Sequence, residues 1–385
     1  MTFFTLNQKD LTQAFSLINQ ISPRKSDVDL FTYTKIQVKP EETIVEAFNP
    51  NLIYSIVLPP SKPYTLSQEV SFLIKTDLLI SSIALLNEDQ IGFELNLDKS
   101  TLIVQGSKSK HTLRIETSLL DQFVLPIKNP TTLNTVEVDI KSFLRANKIA
   151  KIAVGNPRTT YQNEFLNICY TLKPNSKLAV VSSDKLRLAI SEISANYTSE
   201  IEEAKNILIP PKSVDLLESI AGDQEKLKLQ IEEDFIWIEN GNQVLGIRQS
   251  SGTYAPYERI IPQSFACNFT INSKDFLLAL KQVYFSAKAN TINKTTQILV
   301  QPSNKKMVLS SQTSDGYSSE TNIDILNYEG TMEDWSQSFN ADFLLEYLSS
   351  VETENVLWES NPGKPAVLSP EGKKETEFYL VSGLR

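Results

Sequence analysis

Two cysteines, Cys169 and Cys267, and one histidine, His111, are all that this chain of 385 residues holds of either type. Two thiols so far apart make neither a disulfide framework nor a thiolate metal cluster, and they fit a reducing cytoplasm. A lone histidine leaves any histidine-based triad without partners, so His111 is expected to be structural. No Gly-x-Gly-x-x-Gly occurs. Gly241 to Gly246 has the glycine spacing of a phosphate loop, but Ile247-Arg248 stands where Lys-Ser/Thr is required. No run approaches the roughly 18 apolar residues of a membrane helix. Met1 to Asn7 lacks the basic start and apolar core of a signal peptide, so none is expected. The tripeptide Asn196-Tyr197-Thr198 matches a glycosylation acceptor, with nothing to suggest export. The acidic groups Glu202-Glu203 and Glu232-Glu233-Asp234 lie beside loops or strand ends and are expected to be solvated surface. No constellation asks for an enzyme, and no metal or cofactor is expected.

What is present is ordinary in amount and unusual in arrangement. The apolar fraction is 41%, enough for a packed globular protein, and the net charge is −9. That charge argues against a protein that clings to nucleic acid through its total charge. It leaves open a protein whose cations are gathered on one face.

One stretch occurs three times: Phe4 to Ala14, Val136 to Ala146 and Phe269 to Ala279. In each, a short alternating strand runs into an amphipathic helix, and Lys9, Lys141 and Lys274 correspond. A second marker recurs at Ile74–Leu79, Ile209–Val214 and Phe339–Leu344. Both give a spacing of about 130 residues, which is domain-sized and too long for a solenoid repeat. The division is residues 1–130, 131–263 and 264–385, with 126–130 as the first linker. Each copy reads as two helices and about six to eight largely antiparallel strands. The second helices are expected at Leu78–Leu86, Val214–Ile220 and Ala341–Leu348. Polar Ser194 to Lys205 reads as a loop, and Asn240-Gly241 as the turn of a hairpin.

The cations follow the helices. On the second copy's first helix Lys141, Arg145 and Lys148 share a face, with Lys151 beside them. In the third copy Lys274, Lys281 and Lys288 align. In the first, Lys9 is joined by neutral Gln13, Ser16 and Gln20. Such faces suit phosphate contact that does not read sequence.

The middle copy carries recognisable residues. Val181-Ser182-Ser183-Asp184-Lys185-Leu186-Arg187-Leu188-Ala189 resembles the Ala-Thr-Asp-x-x-Arg-Leu-Ala signature of the bacterial sliding clamp family, the β subunits of DNA polymerase III. Ile207 to Lys212 is similar to its Val-Ile-Val-Pro-Arg-Lys, and Tyr254 to Pro262 to its Phe-Pro-Asp-Tyr-Arg-Arg-Val-Leu-Pro. Phe378 to Arg385 sits where the family ends in Tyr-Val-Val-Met-Pro-Met-Arg. The resemblance runs the length of the chain, in order.

It implies an α+β fold of three tandem DNA-clamp domains, each with two helices packed on antiparallel sheets. Two chains would join head to tail in a ring around duplex DNA. The implied function is a noncatalytic processivity factor, without cofactor or metal, cytoplasmic and nucleoid-associated. It would tether the polymerase III alpha subunit, the clamp loader and other proteins with short Leu/Phe motifs, with no membrane partner. The alternative is a clamp-like scaffold serving a non-replicative or mobile-element partner. By position the DNA-facing residues would be Arg24, Lys25, Lys141, Arg145, Lys148, Arg158, Lys281 and Lys288. The partner-peptide pocket would be lined by Leu166, Ser183, Lys185, Leu186, Arg187, Leu188, Pro256, Ile260, Asn340, Phe343, Leu380, Ser382 and Leu384. The joint between chains would set His111 and Leu113 of one against Tyr284 and Phe285 of the other. Two departures stand out. Lys185-Leu186 replaces a usual Gly-His, and Ser382-Gly383-Leu384 replaces Met-Pro-Met. The loss of two adaptable methionines implies an altered pocket.

Overall fold

A computed structural model describes residues 2–61, 69–126, 135–222, 224–289 and 294–384. Most of the linker expected at 126–130 lies outside them. The described helices are α1 (Gln8–Ile21), α2 (Thr76–Ala84), α3 (Ile140–Ile152), α4 (Pro211–Val214), α5 (Leu217–Ala221), α6 (Ser273–Ala287) and α7 (Ala341–Leu348). Strands make up most of the rest and pair antiparallel, as Thr2–Asn7 does with Gln90–Asn96 and Cys267–Asn272 with Asn355–Ser360. The protein is therefore α+β and rich in sheet.

Asparagine sets the strand-to-helix junctions. The Asn7 side chain accepts the Lys9 N–H, Asn272 those of Lys274 and Asp275, and Asn340 that of Asp342. Each cap satisfies donors the first helical turn leaves open, worth about 1 kcal/mol. The helices then bury one face. In α1 this is Leu11, Ala14, Phe15, Ile18 and Ile21; in α6 it is Phe276, Ala279, Leu280, Val283 and Ala287. Lys9, Gln13, Ser16 and Gln20 remain outside on α1, as do Lys274 and Lys281 on α6 and Lys288 at its C-cap.

The helix expected at Val214–Ile220 is instead two short pieces, α4 and α5. Pro211 opens the first, and the Leu216 N–H reaches only three residues back, to the Ser213 carbonyl. That tighter turn interrupts the α-helical ladder. Strand Arg187–Tyr197 runs into the segment expected to be a loop from Ser194, with the Ala195 N–H bonded to the Ser176 carbonyl. The hairpin near Asn240 forms, with Asn240 itself paired to Gln243. Its turn is thus Gly241-Asn242, and Gly241 takes φ +58°, which glycine adopts without strain.

The chain divides into two compact units. Unit 1 comprises Met1–Ile140, Asn196–Glu200 and Lys212–Gln249. In it Thr2–Asn7, Gln90–Asn96, Thr101–Gln105 and Lys110–Glu116 pair in succession. Tyr33–Val38, Thr43–Phe48 and Leu52–Leu58 continue through Gln243–Arg248 to Phe235–Asn240, Lys226–Ile231 and Thr135–Asp139. The buried Tyr54 hydroxyl donates to Gln243 at 2.7 Å across that run. Phe4 stacks on Phe93 at 4.9 Å in the core.

Unit 2 comprises Lys141–Ala195, Ile201–Pro211 and Ser250–Arg385. Its long sheet runs from Lys205–Ile209 through Ile168–Lys173, Lys177–Ser183, Arg187–Tyr197, Glu377–Val381, Ala366–Pro370 and Asn355–Ser360 to Cys267–Asn272. A separate sheet holds Ser318–Asp324, Lys306–Gln312, Thr295–Gln301 and Trp335–Asn340 in that order. Ile149 of α3 and Ala153, just past its end, share one apolar core with α6, α7, Trp358 and Tyr379. The stacked Tyr347–Tyr379 pair, 4.7 Å apart, lies within it.

Candidate functional site

On α3 the expected cationic face separates into two parts. Lys141, Lys148 and Lys151 are exposed. Arg145 is not: only 15% of its side chain meets solvent. Its Nη2 donates to Glu377 Oε1 at 2.7 Å and its Nε to Oε2 at 3.2 Å. Its Nη1 serves the Ser350 carbonyl and, at 3.1 Å, Glu352. Burial is the largest influence and opposes the charge, but the Glu377 and Glu352 carboxylates together hold the guanidinium above its ordinary pKa. Arg145 is therefore a strut inside unit 2, which corrects its placement among the outward cations. A helical wheel gives a side chain's direction but not what covers it.

The remaining cations stand open. Arg24 and Lys25 are exposed on the turn after α1. That turn is anchored by Ser22, whose hydroxyl donates to the Phe31 carbonyl at 2.7 Å. Arg158 is exposed in a turn where its N–H donates to Asn156 Oδ1 at 2.9 Å. Lys281 is exposed on the outer side of α6 and Lys288 at its C-cap.

Apart from Leu166, on the turn Asn163–Leu166, the expected pocket residues come from four elements of unit 2. The first is the tight connection from Ser183 to Leu188. Asp184 Oδ1 accepts the N–H groups of Leu186 and Arg187, each at 3.0 Å, and its Oδ2 accepts Arg187 Nε at 2.8 Å. Arg187 also pairs with Glu346 and lies over the Phe343 ring, 4.2 Å from its centre. Thus α7 is locked to the hairpin. The second element is the turn Tyr257–Ile260, entered from exposed Pro256. The third is the α7 start, with capping Asn340 and half-buried Phe343. The fourth is the strand Glu377–Val381 and the residues after it. Here the Ser382 N–H donates to the Leu186 carbonyl at 2.8 Å and Leu384 to the Ser338 carbonyl at 2.7 Å.

Burial sorts these residues. Leu188 is fully buried and Leu380 is 3% exposed; they face each other in register within the cluster of Phe165, Val181, Tyr254 and Tyr257. They are floor rather than lining. Leu186 and Ile260 are each 52% exposed, and Leu166, Phe343 and Leu384 are half-buried. These supply apolar surface that solvent reaches.

Lys185 takes φ +77°, and its ammonium lies 5.5 Å from the centre of the Phe165 ring. A left-handed conformation costs a residue with a Cβ about 1–2 kcal/mol. Glycine would relieve it, less the roughly 0.5–1 kcal/mol its own freedom costs. Lys185→Gly is thus expected to raise stability by up to about 1 kcal/mol, read as a higher urea midpoint. A lower midpoint would mean that the ring contact outweighs the strain.

The residues expected at the joint differ in how open they are. His111 and Leu113 are half-buried on Lys110–Glu116, opposite Val104 and Leu102. Phe285 is 69% exposed, edge-on to Tyr317. Tyr284 is held within unit 2, its hydroxyl donating to Asp342 at 2.7 Å with Lys294 beside both. Sequence reading passed over Leu78 and Leu85 of the second-helix stretch, 53% and 72% exposed. Their seven-residue spacing on one helical face was the available signal.

Among the described residues no group of three or more His, Cys, Asp or Glu is placed to hold a metal ion, and no helix is long and apolar enough to cross a membrane.

Comparison with known proteins points in one direction. The model of the DNA polymerase III beta subunit central domain matches residues 137–254, and that of its C-terminal domain matches residues 258–381. The beta sliding clamp of Staphylococcus aureus is 21% identical over 368 residues, covering 94% of this chain and 93% of its own. That of Helicobacter pylori is 20% identical, covering 98% and 96%. The crystal structure of the beta subunit from DNA polymerase of Streptococcus pyogenes superposes over 100% of both chains with a TM-score of 0.89 at 17% identity.

Proposed function

The chain belongs to the DNA polymerase III beta subunit family, and from that membership we propose that it is a sliding clamp, a noncatalytic processivity factor of DNA replication. The observation that carries the reading is the match of two successive beta-subunit domain models to a chain whose outward helical faces are lysine-bearing while its net charge is −9. Sliding needs contacts that hold phosphate without reading bases, and exposed lysines on rigid helices provide them.

The finer reading has four parts. The clamp domains are residues 1–130, 131–263 and 264–385. Two chains close head to tail through the His111 and Leu113 edge of one and the Tyr284 and Phe285 region of its partner, with Leu78 and Leu85 adding apolar area on the first side. Duplex DNA meets Arg24, Lys25, Lys141, Lys148, Arg158, Lys281 and Lys288. The polymerase alpha subunit and the loader dock by short apolar motifs near Leu186, Ile260, Phe343 and Leu384. Burying one or two anchors there supplies most of the affinity. The protein works in the cytoplasm on nucleoid DNA. Such tethering raises a polymerase's local concentration without a tight protein–DNA contact.

Light scattering during size-exclusion chromatography tests the ring. A species near twice 43.3 kDa, retained on nicked circular DNA and lost after linearisation, is the expected result. A strict monomer at micromolar concentration that is retained on neither DNA contradicts it.

A further inference from the structure

The turn between Ser183 and Leu188 carries a lysine where the backbone favours glycine. Lys185 takes φ +77°, inside the left-handed region. The turn around it is tightly bonded. The Lys185 N–H donates to Ser183 Oγ at 3.1 Å, that hydroxyl donates to the Arg187 carbonyl at 2.8 Å, and the Leu186 carbonyl accepts the Ser382 N–H at 2.8 Å. None of these bonds uses the Lys185 side chain, which therefore adds strain without helping to close the turn. Strain of this kind gathers where a ligand is clamped.

The ammonium is held in place as well. It lies 5.5 Å from the centre of the Phe165 ring, which is itself 9% exposed and edge-on to buried Tyr254. Other cations of unit 2 are matched by carboxylates. Arg187 pairs with Asp184 and Glu346, Lys173 and Lys177 pair with Glu192, and Lys374 pairs with Glu359. Lys185 is exposed and, among the described residues, has no carboxylate partner. Apolar surface lies on both sides of it. Leu186 follows it in the chain, 52% exposed, and half-buried Leu166 follows Phe165. Phe165, Leu188 and Leu380 belong to one buried cluster, so the ring that carries the ammonium is continuous with the pocket floor. A pocket of leucines alone takes an apolar anchor whatever charge lies beside it. A fixed cation at its edge adds a charge requirement, because a neighbouring carboxylate pairs with it and a second cation is repelled. Holding the ammonium on a ring also lowers the ordering cost of that pair.

We propose that Lys185 is the specificity-determining residue of this pocket and selects partner segments that carry a carboxylate next to their Leu/Phe anchors. The inference rests on the docking of short apolar motifs proposed above and adds the charge those motifs bear. It also gives the strained backbone a use, since Lys185→Gly would gain stability and lose the selection.

The test uses the full chain and fluorescence anisotropy of labelled, capped peptides. Each peptide has a Leu and a Phe anchor and a single Asp placed before, between or after them, and each has an Asn counterpart. For at least one placement the wild type should bind the Asp peptide about threefold to fivefold more tightly than its counterpart, as an exposed ion pair allows. Raising the salt to about 0.5 M should remove most of that difference. The preference should disappear in Lys185→Gln, which keeps the Cβ and the backbone strain, and invert in Lys185→Glu. Lys185 is exposed, so both variants keep the packing around them. Equal or weaker binding of every Asp peptide by the wild type, or a preference that survives in Lys185→Gln, overturns this inference alone. Binding of none of the peptides overturns it together with the docking of Leu/Phe motifs.

Discussion

Replacing Arg145 with alanine is expected to destabilise the fold by about 3–5 kcal/mol, the range for stranding one partner of a buried ion pair. Glu377 is the reason. Its side chain is 5% exposed and receives both Nε and Nη2 of Arg145. Without the guanidinium, a carboxylate remains in unit 2 beside buried Tyr347, and the Ser350 carbonyl loses its donor. The double variant Arg145→Ala/Glu377→Ala should lose less than the two single variants together, because no charge is then left unpaired. Urea unfolding of the three variants measures this coupling. If Arg145→Ala shifts the midpoint by less than about 1 kcal/mol, the strut is not a strut. A cation serving only DNA would give the opposite pattern, with weaker retention and unchanged stability.

The pair also marks where sequence reading stops. The helical period set Lys9, Gln13, Ser16 and Gln20 on one face of α1, and that face is exposed while Leu11, Ala14 and Ile18 are buried, because amphipathicity is local. The same arithmetic set Arg145 beside Lys141 and Lys148. What covers Arg145 comes from Ser350, Glu352 and Glu377, more than two hundred residues further on. No window of sequence contains that contact.

The candidate pocket was legible for a different reason. Its residues sit in motifs whose order could be read directly, but motif position does not separate floor from lining. Leu188 and Leu380 prove to be opposed core residues, whereas Leu186 and Ile260 reach solvent. The strain at Lys185 had a visible cue, since the family's usual residue there is glycine.

Removing Lys141, Lys148, Lys281 and Lys288 together should weaken duplex retention steeply and make it less sensitive to salt. Each lysine that meets a phosphate releases counterions, so the slope of log affinity against log salt should fall by about 0.9 per contact removed. All four are exposed, and surface substitutions of this kind usually change stability by no more than about 0.5 kcal/mol. Unfolding midpoints therefore stay put while affinity drops, separating these residues from Arg145. The first copy's helix provides the contrast. On α1 only Lys9 accompanies Gln13, Ser16 and Gln20, whose neutral groups can hydrogen-bond to phosphate without releasing ions. Lys9→Ala should lower the slope by no more than about 0.9, and Gln13→Ala should leave it unchanged. Titrations of a nicked circular duplex between about 50 and 200 mM salt would resolve these differences. An unchanged slope in the quadruple variant would mean that the basic helix faces are solvated surface and that the DNA is held elsewhere. With a net charge of −9, the chain as a whole repels DNA. The work of holding a duplex therefore falls on the few places where its cations are both gathered and uncovered.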